Sequence, residues 1–304
     1  MGDATLKTKS NSIFREIWKH KLCYLAILPS VAFLLFFCLY PAFTGVFRSF
    51  FRWKTKNYFS PEFCGFDNYA RLFRDKTFWT SFGTLFIILA AGFIKSFAVN
   101  LPATYLIFRL KTTKAGKFFQ RAFVIPMMIP GMVMSMYWRF FYQHQTGVLD
   151  TILTYLGREE WIRVWLADNK VTLPAVLLIG FPYTGGFAML ILLSGLLNVD
   201  ANLEEAAHID GAGSWSIFFR IYLPLIVPQI KILSVLGMIG GIQDYGTQII
   251  YTSGKYHTMV PAYNMYETAF VKGNYGYATA QGVILFLIIL LVTFLQNKYI
   301  KTEG

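Results

Sequence analysis

The chain has 304 residues, of which 55% are hydrophobic and only 14% are charged, and its net charge is +12. A soluble protein carries about 25% charged residues, so this composition excludes an ordinary soluble domain and indicates an integral membrane protein. The basic residues lie in clusters beside apolar runs and no nucleic-acid recognition motif is present, so we predict membrane lipid as a partner and no nucleic acid.

The N-terminal segment, residues 1–21, carries five Lys or Arg residues, and no charged residue follows until Arg48. The uncharged run is longer than the core of a signal peptide and lacks a small-residue cleavage site, so we expect a retained spanning helix. The three cysteines are scattered and predict packing residues rather than a disulfide framework.

Six apolar runs are long enough to cross a membrane, which requires about 20 residues. Between the first two runs, the segment from Tyr58 to Trp79 is expected to hold a short helix that lies at the membrane interface on the outer side. The predicted spans are residues 22–47, 77–108, 122–142, 171–197, 224–250 and 274–297.

An even number of spans places both termini on one side of the membrane. The Lys and Arg totals on the two sides are nearly equal, but residues 109–121 hold five of them, and this density predicts a cytoplasmic N-terminus. We therefore predict one transmembrane domain, residues 22–297, between a cytoplasmic N-terminal segment, residues 1–21, and a cytoplasmic tail, residues 298–304.

The hydrophilic loop at residues 198–224 separates the fourth and fifth spans. Asn202 can cap a short helix, and Glu204 and Glu205 in its first turn suit the positive end of the helix dipole. Ala206 and Ala207 are small helix formers that let a partner approach the backbone.

Gly211 can end this short helix and reverse the chain. Residues 214–223 then form a second amphipathic piece, and Pro224 suits the first turn of the next membrane helix. The alternative is a helix lying on the bilayer, but such a helix is normally basic, whereas Asp210 and two glutamates precede the first arginine here. The pattern therefore favours docking into another protein.

Polar and small residues recur along the fifth span at helical spacing. A charge in mid-membrane costs roughly 2.5–3.5 kcal/mol, so Asp244 should face protein or water. Two interpretations stay open: a structural Asp244 paired with Lys95 or Arg139, or a polar solute path. The stripe comprises Gly237, Gly241, Asp244 and Gln248, with Gln243 and Tyr245 beside it.

Proline and glycine interrupt two other spans. Pro126 to Gly131 breaks the third, and Gly180-Phe-Pro-Tyr183, followed by two glycines, breaks the fourth. Such breaks free backbone groups that neighbours or water must satisfy, which is common beside transport pathways.

The pattern E-A-A-x(3)-G-x(9)-I-x-L-P, from Glu205 to Pro224, resembles the ATPase-binding loop of permeases of binding-protein-dependent ABC importers. Pro-x3-Pro in the third span, Gly-Phe-Pro-Tyr in the fourth and Tyr251-Thr-Ser-Gly254 resemble the carbohydrate-uptake branch, of the maltose and glycerol-phosphate permease type. The resemblance implies an all-α integral membrane protein with six transmembrane helices and type I ABC importer architecture.

The resemblance also implies two sets of site residues. The ATPase-coupling set is Glu204, Glu205, Ala206, Ala207, Asp210 and Gly211. With the polar residues beside the breaks, the substrate-path set is Met127, Gly131, Gly180, Tyr183, Gly241, Gln243, Asp244 and Gln248. Met127 and the glycines carry no polar side chain, so the partner permease is expected to supply more of the cargo contacts.

By the same resemblance, the partners are a second permease, two ATP-binding subunits, an extracytoplasmic solute-binding protein and a sugar, in a bacterial cell membrane. The sequence has no phosphate-binding G-x-x-x-x-G-K-[ST] motif, no nucleophile motif and no histidine cluster, which predicts a non-enzyme without metal or cofactor. ATP and Mg²⁺ would be used by the partner ATPase. Two alternatives are an ABC permease for amino acids or peptides, and a polytopic membrane enzyme or scaffold.

Overall fold

The computed structural model describes residues 18–183 and 185–299, so most of the predicted N-terminal segment and tail lies outside the described residues. The regular secondary structure of these residues is helical apart from one small pair of strands. In chain order the helices are α1 (Lys21–Arg48), α2 (Asp67–Arg74), α3 (Lys76–Arg109), α4 (Lys114–Val124), α5 (Gly131–Phe141), α6 (Val148–Tyr155), α7 (Thr172–Leu178), α8 (Gly186–Leu197), α9 (Ala201–Ile209), α10 (Ser214–Leu225), α11 (Val227–Gln243), α12 (Gly246–Tyr251), α13 (Pro261–Tyr266) and α14 (Tyr275–Tyr299).

Short irregular pieces complete the backbone. Three 3₁₀ turns occupy Thr55–Asn57, Ile125–Met128 and Glu159–Trp161, and widened π-helical turns occupy Leu34–Leu39, Phe218–Tyr222 and Glu267–Val271. The strands β1 (Phe51–Arg52) and β2 (Glu62–Phe63) pair antiparallel in the loop after α1. This hairpin was not predicted, whereas the short helix expected between Tyr58 and Trp79 is confirmed as α2.

Three helices, α1, α3 and α14, are each long and apolar enough to cross a membrane. Helix α3 has 34 residues, and at 1.5 Å per residue it is about 51 Å long, more than the roughly 30 Å of hydrocarbon. Asp75 is its N-cap residue, and the Asp75 side chain accepts a hydrogen bond from the Phe78 amide at 3.2 Å. The predicted first, second and sixth spans are therefore confirmed to within two residues at each end.

Three bent helix pairs pass the same test of length and composition only when each pair is taken together, which gives up to six candidate spans. We refer to residues 114–141 as the third crossing, to α7 and α8 as the fourth and to α11 and α12 as the fifth; α9 and α10 form the connection between the fourth and the fifth. The chain turns by 93° between residues 114–128 and α5, by 67° between α8 and α9, and by 62° between α10 and α11. The break predicted at Pro126 to Gly131 in the third span, residues 122–142, is confirmed, and it falls at two prolines, which lack an amide donor. The helix before the break begins earlier than predicted, at Lys114.

Two hydrophobic clusters hold the helices together. One joins the end of α3 to α8 and α10 around Leu192, Ile217 and Tyr222. The other joins α2, the start of α3, α11 and α14 around Phe78 and Tyr277. In contrast, α1 has no buried residue, and its last part packs against α14.

Candidate coupling hairpin and transport path

The loop between the fourth and fifth crossings is a helical hairpin made of α9 and α10. Asp200 caps α9: its Oδ1 accepts a hydrogen bond from the Asn202 amide at 3.0 Å. The predicted cap at Asn202 is wrong, because the helix begins at Ala201 and Asn202 already lies in its first turn. We call the segment from Asp200 to Leu225 the coupling hairpin.

Glu204 ties the coupling hairpin to the membrane helices. Its carboxylate accepts hydrogen bonds from Arg109 at the end of α3 and from the hydroxyl of Tyr222 in α10, the latter at 2.5 Å. His208, one turn further along α9, lies 3.5 Å from the same carboxylate. Burial disfavours the charged carboxylate, but the hydrogen bonds from Tyr222 and Arg109 outweigh it and hold the pKa of Glu204 below its ordinary value.

The opposite face of α9 points away from the protein. Glu205, Ala206 and Asp210 are exposed, and Ile209 is 87% exposed although it is apolar. Glu204 and Glu205 therefore differ: only 22% of the Glu204 side chain is exposed, and it faces the chain's own helices. The sequence motif placed the two glutamates together, and the structure separates them.

Gly211 ends α9 with a left-handed backbone, at φ +76°. The Gly211 amide donates to the His208 carbonyl at 3.0 Å, and the Ala212 amide donates to the Ala207 carbonyl at 2.9 Å, which closes the helix end. A Cβ at Gly211 would meet nothing within 4 Å, so the conformation rather than space requires glycine here.

Helix α10 has one buried and one exposed aromatic face. Ile217, Phe218 and Tyr222 are buried against α3 and α8. Trp215 and Phe219 are 74% and 55% exposed, and their rings stack with centroids 6.0 Å apart. The hairpin thus presents an apolar surface with acidic residues on α9, as a protein-docking element requires.

The fifth crossing breaks at Asp244, which separates α11 from α12. Asp244 has an extended backbone, and its carboxylate accepts hydrogen bonds from the Gly246 amide at 3.0 Å and from the Thr247 hydroxyl at 2.6 Å. Asp244 therefore caps α12, and the continuous helical stripe predicted from Gly237 to Gln248 is wrong. The two residues at the break, Gln243 and Asp244, are exposed.

The predicted structural role of Asp244 as a partner of Lys95 or Arg139 is also not observed. Within residues 18–183 and 185–299, Asp244 forms no ion pair. Lys95 instead donates to two backbone carbonyls of the fourth crossing. Gln248 is 2% exposed, and its side-chain oxygen has no hydrogen-bond partner.

The breaks of the third and fourth crossings are joined through Tyr183. Its hydroxyl donates to the Phe123 carbonyl in α4 at 3.1 Å and accepts from the Gly186 amide at the start of α8 at 2.9 Å. Gly180 has φ +85°, and the Phe181–Pro182 bond is cis. The structure thus brings these two predicted breaks into one packed unit.

The remaining path residues lie around this unit. Met127 is 46% exposed, and Gly131, which starts α5, is exposed. Tyr251 in α12 donates to the Ser135 carbonyl of α5 at 3.0 Å, which ties the fifth crossing to the third. A Cβ on Gly241 would lie 2.4 Å from Cδ2 of Leu89, so glycine allows the close approach of α11 to α3.

A separate apolar cavity of about 700 Å³ lies beside the fifth-crossing break. The second half of α1 lines it, together with α13 and α14. Tyr245 belongs to this lining, and its ring stacks on Tyr266 with centroids 5.3 Å apart. Asp244 is therefore bonded to polar groups, whereas the next residue, Tyr245, lines an apolar cavity.

Four residues that the sequence interpretation did not assign to the site hold it together: Arg109, Tyr222, Tyr251 and Lys95. Only Lys95 could have been assigned from the sequence, since a charged residue inside an apolar run indicates a functional site. The other three pair with residues 18 to 116 positions away, and no local pattern marks such pairs.

Three to six candidate membrane spans, several of them in broken helices, and an exposed helical hairpin are typical of a polytopic membrane transport protein. Residues 101–301 match the family described as "Binding-protein-dependent transport system inner membrane component". The chain belongs to this family, whose members are transport components rather than catalytic enzymes. It is therefore a multi-pass protein of the inner membrane, with the type I ABC importer permease fold.

Individual relatives extend the match over nearly the whole chain. The probable ABC transporter permease protein YurN of Bacillus subtilis is 28% identical, over 92% of this chain and 96% of its own. The probable starch degradation products transport system permease protein AmyD of Thermoanaerobacterium thermosulfurigenes is also 28% identical, with coverages of 92% and 94%.

The fold is also similar to that of a solved structure. A chain of the bacterial alginate ABC transporter, solved with its alginate pentasaccharide-bound periplasmic protein, has a TM-score of 0.81 and 23% identity. The match covers 96% of this chain and 99% of that one. At this identity the likeness establishes the fold.

Proposed function

We propose that this chain is the permease subunit of an ATP-driven sugar importer, forms half of the translocation pathway and couples to ATPase subunits through the coupling hairpin. The observation that carries the proposal is that two adjacent glutamates face opposite sides of α9. Glu204 anchors the hairpin to α3 and α10, while Glu205 and Ala206 face outward.

This geometry supports a mechanical role. A push on the exposed face of α9 is transmitted through the Glu204 carboxylate to Arg109 of α3 and Tyr222 of α10. Helix α8 packs along α3, and Tyr183 links the start of α8 to α4. Movement of the hairpin would therefore reach the breaks of the third and fourth crossings through direct contacts.

The acidic and apolar surface of the hairpin suits an ATPase cleft. The predicted coupling residues Glu205, Ala206, Ala207, Asp210 and Gly211 would contact that subunit, whereas Glu204 would position them. ATP and Mg²⁺ would be bound by two ATP-binding subunits. On this proposal the hairpin, and with it both termini, residues 1–21 and 298–304, would lie on the cytoplasmic side.

We propose that cargo passes beside the broken crossings. Exposed polar groups at Gln243 and Asp244, and the backbone opened at Gly131 and Gly180, support this path. Met127, Tyr183, Gly241 and Gln248 complete the predicted set: Tyr183 and Gly241 set the packing, and Gln248 offers an unpaired buried amide oxygen. A second permease would supply the facing half, and an extracytoplasmic solute-binding protein would deliver the cargo.

The cargo class follows from the relatives. AmyD is named for starch degradation products, and the carbohydrate-type breaks of this chain agree with such a cargo. Amino acids or peptides are the alternative cargo, and nothing in the described site favours them.

The test uses this permease purified with its sister permease, ATPase subunits and solute-binding protein, in proteoliposomes. We expect Glu205→Lys to lower sugar-stimulated ATP hydrolysis at least tenfold with the subunits still assembled. Glu160→Lys, a matched charge reversal at an exposed glutamate between α6 and α7, should retain the wild-type rate. Unchanged hydrolysis in the Glu205 variant would contradict the coupling role, and sugar-independent hydrolysis in the wild type would contradict the cargo.

A further inference from the structure

Lys95 is a charged residue in the middle of a spanning helix. It lies 19 residues after Lys76 and 14 before Arg109 in α3, so it is about 29 Å and 21 Å from the two helix ends. An ionisable residue at this depth is costly and is generally retained for a function. Within residues 18–183 and 185–299, no carboxylate lies within ion-pair distance of its ammonium group.

The ammonium group of Lys95 instead bonds the backbone of the fourth crossing. Its Nζ donates to the Leu177 carbonyl at 3.0 Å and to the Ile179 carbonyl at 2.6 Å. Helix α7 ends at Leu178, so these carbonyls belong to its last turn and to the residue just beyond it. The negative end of a helix dipole favours a cation at this place.

The other carbonyls at this helix end already have partners. The carbonyls of Ala175, Val176 and Leu178 accept from the Tyr142 hydroxyl at 3.0 Å, the Ile179 amide at 3.2 Å and the Phe181 amide at 3.0 Å. Within residues 18–183 and 185–299, Lys95 therefore serves the two carbonyls of this run that accept no other hydrogen bond. In hydrocarbon every backbone polar group needs such a partner, so α7 can stop in mid-membrane because Lys95 completes its end.

We propose that Lys95 is a positioning residue of the transport path, a cationic cap supplied by α3 that holds the fourth crossing open between α7 and α8. Lys95 fixes the segment at Ile179, and Tyr183 fixes it four residues later through the Phe123 carbonyl. Gly180 and Phe181 are thereby held in a non-helical backbone beside the pathway. For its role in uptake, this inference rests on the proposed function.

The test compares Lys95→Met, which removes the charge and the donors, with Lys95→Arg, which keeps both. Lys170→Met, a lysine removed from an exposed loop position, is the matched control. The complete complex is reconstituted in proteoliposomes, and initial uptake is measured across cargo concentrations. We expect Lys95→Met to lower the maximal rate at least tenfold with the half-saturating concentration changed less than threefold, and Lys95→Arg to recover at least a third of the wild-type rate.

A second readout does not depend on transport. Phe181 is 49% exposed, so Phe181→Cys can report the opened segment by maleimide labelling, in a chain whose three cysteines are replaced by serine. Lys95→Met should change the labelling rate at least threefold, while Lys95→Arg and Lys170→Met leave it within twofold. If the Lys95→Met complex does not assemble, the test relies on Lys95→Arg. A Lys95→Arg complex that keeps its uptake and is labelled at the wild-type rate supports the cap.

Unchanged uptake and labelling in Lys95→Met would overturn the proposal, as would a Lys95→Arg variant that assembles but labels differently from the wild type. Failure of the proposed function has a different signature. In that case the wild-type complex itself shows no ATP-dependent uptake, and the labelling comparison still tests the cap.

Discussion

Removal of the Glu204 carboxylate should release the coupling hairpin from the membrane helices. Glu204→Ala leaves the Tyr222 hydroxyl without its partner, and Tyr222 is only 2% exposed. An unsatisfied buried hydroxyl costs about 1–3 kcal/mol. The ion pair with Arg109 contributes less, about 0.5 kcal/mol, since 37% of the Arg109 side chain is exposed and solvent screens it.

The sum, about 2.5 kcal/mol, corresponds to a roughly sixtyfold larger population of the open hairpin, since 1.4 kcal/mol is about tenfold. Amide hydrogen exchange over residues 201–211 in the detergent- or nanodisc-held complex measures this population directly. We expect exchange to accelerate by about that factor in Glu204→Ala, with sugar-stimulated ATP hydrolysis reduced in parallel.

Glu205→Ala is the matched control, since it removes the neighbouring carboxylate from the exposed face of the same helix. It should leave hairpin exchange within about twofold of wild type and lower only coupled hydrolysis. The cycle formed by Glu204→Ala and Tyr222→Phe should show a coupling energy of about 1–2 kcal/mol. Unaltered exchange in Glu204→Ala, or equal acceleration in both alanine variants, would refute the anchoring role.

Three further predictions concern the hairpin and the path. Gly211→Ala should cost about 1–2 kcal/mol and weaken coupled hydrolysis because of φ +76°, whereas Gly213→Ala, at φ −73° with open space, should be neutral in the same ATPase assay. Gly186→Ala would place a Cβ 2.5 Å from the Phe123 carbonyl oxygen, a backbone atom, so it should push α8 from α4, cost about 1–3 kcal/mol and lower both the melting temperature and uptake. Gly240→Ala, with nothing within 4 Å, should not, and equal melting temperatures would argue against the close approach. Because folding lowers the pKa of Glu204, this carboxylate stabilises the coupling hairpin fully above its unfolded-state pKa of about 4.3, and the stabilisation is lost as the pH falls through its folded-state pKa. Amide exchange over residues 201–211, corrected for the intrinsic exchange rate, should therefore be constant from pH 6 to 8 and accelerate in acid.

Much of the architecture was predictable because its causes are local. Hydrocarbon thickness sets the length of an apolar run, so the first, second and sixth spans agree with the structure to within two residues. The hairpin was predictable for a similar reason, since small residues, acids in a first turn and a glycine at the end act within one or two helical turns. Even there the N-cap residue is Asp200 and not the predicted Asn202, because residue preferences at helix ends do not distinguish positions two residues apart.

The candidate site was only partly predictable. Helical spacing placed Gly237 to Gln248 on one stripe, but the chain breaks at Asp244, whose carboxylate caps the next helix. Periodicity assumes that a helix continues, and it cannot detect a side chain that competes for the backbone amides. The motif likewise could not tell the anchoring glutamate from the exposed one.

By itself the sequence determined that this chain crosses a membrane, where its apolar runs lie and that a short helical connection joins two of them, because solvent transfer and helix capping act on neighbouring residues. Tertiary structure alone decided which groups hold the broken helices. Glu204 meets Arg109 across 95 positions, and Lys95 meets Ile179 across 84. Such contacts exist only once distant helices pack side by side, since an unsatisfied polar group in the membrane must take whichever partner the fold brings within hydrogen-bonding distance.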